Sequence, residues 1–403
     1  MIKIGTLKFS KHDGRGRVTA DIDCDGFVAP LWFEVEEQYA EYLCYERSDA
    51  YVLGLLHYAM KFGHDIVCET PMTGRLYEQL TGQFLPPFYK VNGFGRDGGI
   101  GQNRKGFCTK ITCEIAPEID HHGPQAVATG ISCGVDSLHV FATHSDITHA
   151  CIWNGHGIDP HETVESRNAA WGNLIERAKN FSAEVGVDLI VGNTNFDRGC
   201  LKQLQWDGMT TQGNLFCIFS LQKLWQNYYV ASDCAIDNFH MRQSLNEDPA
   251  HYEYFLFPLV SLKNMTIRMD GADCRRIEKI RALIGYAPSY KFLNTCWGIH
   301  EGHKNCSCFC PKCMRTMLAL YCLGALDMYS SVYDVEYFKR HVSQYIAEYY
   351  RGCLHNDFFA TEITPYLKNV HVGIGTKIAA WTIVLKKIFR KLIFGSPKSF
   401  QPS

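Results

Sequence analysis

The sequence predicts an α/β protein: a parallel sheet with helices on both faces over residues 124–325, a smaller α+β domain over 1–120 before it, and a helical region over 326–403 after it. Three observations predict this. From 124 onward, short apolar runs alternate with amphipathic stretches, the pattern that builds parallel sheets. The first 120 residues instead alternate with period two and are broken at Asp13-Gly14 and Asp25-Gly26, which reads as a small meander. A chain of 403 residues with 46% hydrophobic content is also long enough for two domains and a large core.

The elements follow in order. Residues 2–9, 17–22 and 27–35 read as strands, and 50–62 as a helix with Val52, Leu55, Leu56, Ala59 and Met60 on one face. A short strand at 66–68 and a helix around Leu76, Tyr77 and Leu80 come next. The Gly-, Asn- and Arg-rich stretch 93–106 is a surface loop or hinge, and its Gly93-x-Gly95 lacks the strand-to-helix setting of a dinucleotide fingerprint. A strand at 111–115 precedes the boundary at 121–124. Further strands are expected at 126–131, 147–153, 188–192 and 228–231, with helices at 138–142, 167–185 and 215–225. Asp270 reads as the N-cap of a helix running through the polar stretch 268–279. In 381–394, Ile383, Val384, Ile388, Leu392 and Ile393 alternate with Lys386, Lys387, Arg390 and Lys391. This reads as a packing helix with a solvated basic face, the alternative being contact with an anionic membrane or a partner.

Composition narrows the function classes. Forty Lys and Arg against 42 Asp and Glu leave a formal net charge of −2, without the basic footprint of a dedicated nucleic-acid surface. The opening residues alternate like a strand rather than forming a signal peptide, and no window approaches a membrane span, so a cytoplasmic protein is expected. Most of the 18 cysteines are scattered singly in apolar surroundings, among them Cys44, Cys68, Cys151, Cys217 and Cys322, as buried thiols of reduced proteins are.

The stretch Ser132-Cys133-Gly134-Val135-Asp136-Ser137 lies between a buried strand and a helix. Helix N-terminal amides, the helix dipole and hydroxyl donors make such a turn an anion cradle. It lacks the lysine of the G-x-x-x-x-G-K-[ST] loop, carrying Asp136 instead. The alternative reading is an ordinary strand-to-helix turn capped by Ser or Asp. Asn154-Gly155, Gly192-Asn193-Thr194 and Ser232-Asp233 also fall at predicted strand C-termini, where open α/β sheets bind ligands.

Five cysteines crowd between Cys296 and Cys313. Cys310 and Cys313 form a C-x2-C step; Cys306 precedes it by four residues and Cys296 closes the set, a donor group suited to a structural Zn2+. Cys308 is the alternate to Cys306, and His300 and His303 are weaker alternatives. Coincidental buried cysteines or a redox pair are the competing readings.

The loop 132–137 resembles the S-G-G-x-D-S pyrophosphate loop of the N-type ATP pyrophosphatases, with Cys133 where the family carries glycine. With the cysteine cluster downstream, residues 124–325 resemble the 7-cyano-7-deazaguanine synthases. Asn305, Cys306, Cys310, Lys312, Cys313, Arg315 and Thr316 match that family's N-C-G-x-C-x-K-C-x-R-T, apart from one inserted residue and the extra Cys308. Asp270, Gly271, Ala272, Arg276, Glu278 and Lys279 match a D-G-A-x-x-x-R-x-E-K stretch.

The resemblance implies an adenine nucleotide alpha hydrolase-like, Rossmann-like fold and an ATP-dependent ligase that activates a carboxyl or amide for attack by an amine or ammonia, releasing pyrophosphate and AMP. It implies ATP, Mg2+ and Zn2+ as cofactors. Asp136 would hold Mg2+, with Ser132, Ser137 and the backbone of Cys133, Gly134 and Val135 on the phosphates and Asn154 and Gly155 beside them. Asp233, Asp270 and Arg276 would face substrate or triphosphate, although a capped helix with ion pairs accounts equally for Asp270 and Arg276. The substrate would be a small molecule such as a 7-deazapurine acid, or a protein. The N-terminal 120 residues, absent from the compact family enzyme, offer a place for a protein partner, and similarly extended relatives occur in accessory clusters, including anti-phage defence. A tRNA-thiolation-type ATPase and a nucleotide-binding regulatory or assembly subunit without turnover stay open as alternatives.

Overall fold

An eleven-stranded, mixed sheet runs through the molecule in the order β13-β12-β9-β10-β11-β4-β3-β1-β5-β7, with β2 paired to β3. The computed structural model describes residues 1–92, 108–120, 126–155, 164–196, 210–243, 249–296, 305–306, 310–370 and 372–394. Its strands are β1 (Ile2–Ile4), β2 (Lys8–His12), β3 (Arg15–Cys24), β4 (Phe27–Glu36), β5 (Ile66–Cys68), β6 (Met72–Thr73), β7 (Ile111–Thr112), β8 (Ile115–Ala116), β9 (Ala126–Gly130), β10 (His149–Asn154), β11 (Asp188–Thr194), β12 (Trp225–Ala231) and β13 (Thr266–Asp270). β6 and β8 pair separately.

The strands from β9 to β13 are parallel, and β9 lies where the winding reverses. From β9 the chain moves outward to β10 and β11, then returns to place β12 and β13 on the other side. The crevice beyond the C-terminal end of β9 is therefore a topological switch point. Side chains alternate between two cores, as they must in a sheet covered on both faces. Ala126, Ala128, Cys151, Trp153 and Tyr228 enter one core; Val127, Ala150, Ile152 and Tyr229 enter the other. The first core is covered by α1 (Asp49–Phe62), α4 (Thr210–Ser220) and α5 (Glu253–Val260). The second is covered by α2 (Val135–Thr143), α3 (Val164–Val185), α6 (Arg276–Ile284), α7 (Pro311–Cys322), α8 (Val342–Leu354) and α9 (Ile374–Phe394).

The N-terminal strands continue this sheet. β4 pairs antiparallel with β11 through Asn193↔Glu34 and Thr194↔Phe33, and residues from 2 to 111 share the first core with residues from 126 to 267. Two expectations are corrected. The helix expected over 215–225 ends at Ser220, and Trp225 already begins β12 opposite Ala126. Asp270 is not a helix cap: it ends β13, whose backbone pairs with β12, and the helix begins only at Arg276. Among the described residues no helix is long and apolar enough to cross a membrane.

Candidate functional site

The loop after β9 is built by one unusual backbone conformation. Cys133 sits at φ +58°, in the left-handed region that favours glycine. Its carbonyl accepts the Asn294 amide at 2.7 Å, and its side chain is buried in the second core. The thiol therefore does not narrow the cradle. Gly134 then returns to extended backbone and α2 starts at Val135, with no side chain capping its N-terminal amides. Ser132 Oγ accepts the Gly134 amide at 3.2 Å and lies 3.2 Å from Ser137 Oγ. Two hydroxyls and an uncapped helix N-terminus thus converge beyond β9.

Asp136, on the first turn of α2, meets two cations of α6. Arg276 Nη1 lies 2.9 Å and Lys279 Nζ 3.1 Å from its two oxygens. The fully buried Lys279 ammonium also donates to the Ser232 carbonyl, and Arg276 Nη2 to the Asp233 carbonyl at 3.3 Å. Burial opposes the Asp136 charge, but Arg276, Lys279 and Lys312 outweigh it and hold the carboxyl below its ordinary range. Arg276 and Arg315 stack on the Phe359 ring at 4.7 and 4.1 Å. Burial, and then the neighbouring Arg276, lower Lys312 and push Arg315 down to about 10. Cations that destabilise one another in this way form a site that a polyanion would relieve.

The structure thus brings Ser132, Gly134, Asp136, Ser137, Asp233 and Arg276 together, with Val135 buried beneath them. Two expected members have their side chains engaged by other partners. Asp270 holds His139 Nδ1 at 3.3 Å and His144 Nε2 at 2.7 Å on the flank of α2. Asn154 donates to Asn193 Oδ1 at 3.1 Å, and Asn193 donates to Glu34, which also pairs with Arg15 and Arg17. Gly155 closes this end of β10 at φ +107°, where a Cβ would meet the Thr194 carbonyl oxygen at 1.8 Å.

Cys296, Cys306, Cys310 and Cys313 converge, with their sulfur atoms all within 4.8 Å of one another. A tetrahedral S4 site with Zn–S bonds near 2.3 Å needs sulfurs about 3.8 Å apart, and Cys310 and Cys296 stand at 4.0 Å. This cluster can hold a metal ion such as zinc. The Cys310 amide donates to Cys306 Sγ and the Cys313 amide to Cys310 Sγ, both at 3.3 Å, so the knuckle doubles as the N-cap of α7. Asn305 ties it down: its side chain accepts the Thr295 and Cys296 amides and donates to the Leu293 and Val332 carbonyls. Cys308, His300 and His303 lie outside the described residues.

Compared with protein-family models, with curated proteins and with solved structures, the chain matches none. The site residues that a reading of the loop alone omits are Asn294, Lys279, Lys312, Arg315 and Phe359. Lys279, Lys312 and Arg315 carry a sequence signal, since they fall in the polar stretch 268–279 and beside the clustered cysteines. Phe359 and Asn294 carry none, because only packing brings them to the loop.

Proposed function

We propose that the chain is an ATP-dependent adenylating enzyme of the N-type ATP pyrophosphatase kind, activating a carboxyl or amide for attack by an amine or ammonia. One observation carries this reading: a strand–loop–helix turn at the sheet's switch point, with Asp136 at its centre and Arg276, Lys279, Lys312 and Arg315 around it. The donors suit a triphosphate. Ser132 and Ser137 would hydrogen-bond phosphate oxygens together with the first amides of α2, while the four cations offset charge gathering on departing pyrophosphate. Asp136 uses two of about four lone-pair sites on its paired cations, leaving capacity for Mg2+. Asp136 would hold Mg2+, which when bound would supply neutralisation of the charge on the departing pyrophosphate.

In the reaction, a substrate carboxylate oxygen attacks the α-phosphorus, the bond to the β-phosphate breaks and pyrophosphate leaves. The amine then attacks the acyl carbon and AMP departs. The protein supplies no nucleophile: burial pushes the Cys133 thiol up to about 12, so it stays protonated near neutral pH. Small carboxylic acids, including 7-deazapurine acids, and protein carboxyls are the substrate classes to assay.

The test measures pyrophosphate and AMP release with candidate acids and amines. Asp136→Asn, which keeps the shape of the side chain, should lower release by about a hundredfold or more in a chain that still melts cooperatively, at a lower temperature because Lys279 loses its buried partner. ATP binding without turnover in the wild-type chain, across the acids assayed, would favour the regulatory-subunit reading instead.

A further inference from the structure

Helix α9 is held by one face and offers solvent another that is equally apolar. Ala380 and Val384 are buried on the side toward α8. On a separate face, Ile374, Ile378, Trp381, Leu385, Ile388 and Phe389 are 78%, 62%, 41%, 49%, 42% and 60% exposed. Their spacing of three and four places them in one arc, about 22 Å long at the helical rise of about 1.5 Å per residue. Single exposed hydrophobic residues are ordinary, whereas six in line mark a surface that something covers. Trp381 is steadied against Tyr350, with ring centroids 4.8 Å apart, so the stripe is pre-formed.

Charge decides what covers it. Residues 374–394 contain no acid and five cations, Lys377, Lys386, Lys387, Arg390 and Lys391, in a chain of net charge −2. Lys387 faces Glu348 at 3.7 Å, while Lys377 and Lys386 are exposed, one on either side of the stripe by helical geometry. A second copy would bring like charges together. An apolar stripe with aromatic and branched aliphatic residues, flanked by lysines and free of acids, instead fits a helix lying in the plane of an anionic bilayer. We propose that α9 docks the protein on an anionic membrane surface, the stripe entering the headgroup–acyl boundary and Lys377 and Lys386 meeting lipid phosphates. This does not depend on the adenylation reading.

The full chain is floated with phosphatidylcholine vesicles, with and without about one third phosphatidylglycerol. Flotation is expected with the anionic vesicles only, and to weaken in high salt. Ile378→Ser with Leu385→Ser should reduce it at least tenfold without moving the melting transition, since both residues point outward. Lys377→Ala and Lys386→Ala should each weaken it about fivefold, leaving the stripe intact. Absence of flotation, equal flotation with neutral vesicles, or flotation unchanged in the serine variant would overturn the proposal. So would a stripe-dependent dimer, or a protein partner on the stripe, in a chain that does not float.

Discussion

Cys133 shows how little of a residue's role its identity alone conveys. Its φ of +58° costs an L-residue on the order of 1–2 kcal/mol, and the conformation is held by the Asn294 amide and by burial of the thiol. Cys133→Gly removes the strain and also the buried sulfur, so the loop should keep its path. Pyrophosphate release should be preserved or raised, and its loss would make the thiol a participant. The same scale separates Asp136 from Asp270, two carboxylates that resemblance would place together. Burial opposes the Asp270 charge, but hydrogen bonds from His139 and His144 win and hold the carboxyl below its ordinary range. A group lowered on folding stabilises above its unfolded pKa of about 3.9 and loses that contribution as pH falls through the folded value. Asp270→Asn should therefore be less stable than wild type by about 1.5–3 kcal/mol at pH near 6. The gap should narrow as pH drops below about 4, read by denaturant melts across that range. A gap that stays constant with pH would show that the carboxylate charge is not what the histidines hold.

At the scale of elements, legibility followed the strength of the local pattern. The strands β9 to β12 and helix α3 announce themselves by apolar runs and a helical period, and the described strands fall where those runs are. β13 was hidden by its composition: Arg268 and Asp270 look polar, and the alternation of Met265, Ile267 and Met269 was the signal available. The cysteine spacing gave the knuckle, but not what the knuckle does. Asn294, two residues before Cys296, donates to the Cys133 carbonyl, and the helix capped by Cys310 carries Lys312 and Arg315 toward Asp136. The cluster thus fixes two sides of the candidate phosphate site at once. About one zinc per chain is expected by metal analysis. Chelation should then lower both the melting temperature and nucleotide binding, with recovery when zinc is restored. A chain that binds no zinc, or that binds nucleotide equally well after chelation, would remove the cluster from this role.

At the scale of the molecule, the deciding contact is one that no local pattern encodes. Alternation in residues 2–35 predicts strands without saying which edge they join, because a strand's partners are chosen by long-range packing. Here β4 takes the β11 edge, and Glu34 gathers Arg15, Arg17, His12 and Asn193 at the seam. Asn193 in turn holds Asn154 at the end of β10, so the seam reaches the same end of the sheet as the candidate site. Phe33 enters the shared core and packs edge-on against Trp153 and Phe216, with centroids 5.7 and 6.4 Å away. Removing residues 1–120 would uncover that core and leave β11 as an open edge, which templates pairing with other chains. A chain beginning at 124 should therefore aggregate, or expose apolar surface to a hydrophobic dye, rather than fold as a stable monomer retaining nucleotide binding. Sedimentation of the truncated chain decides it: a monodisperse, cooperatively melting fragment that binds ATP as the full chain does would mean the seam is a docking contact between independent domains, not one continuous fold.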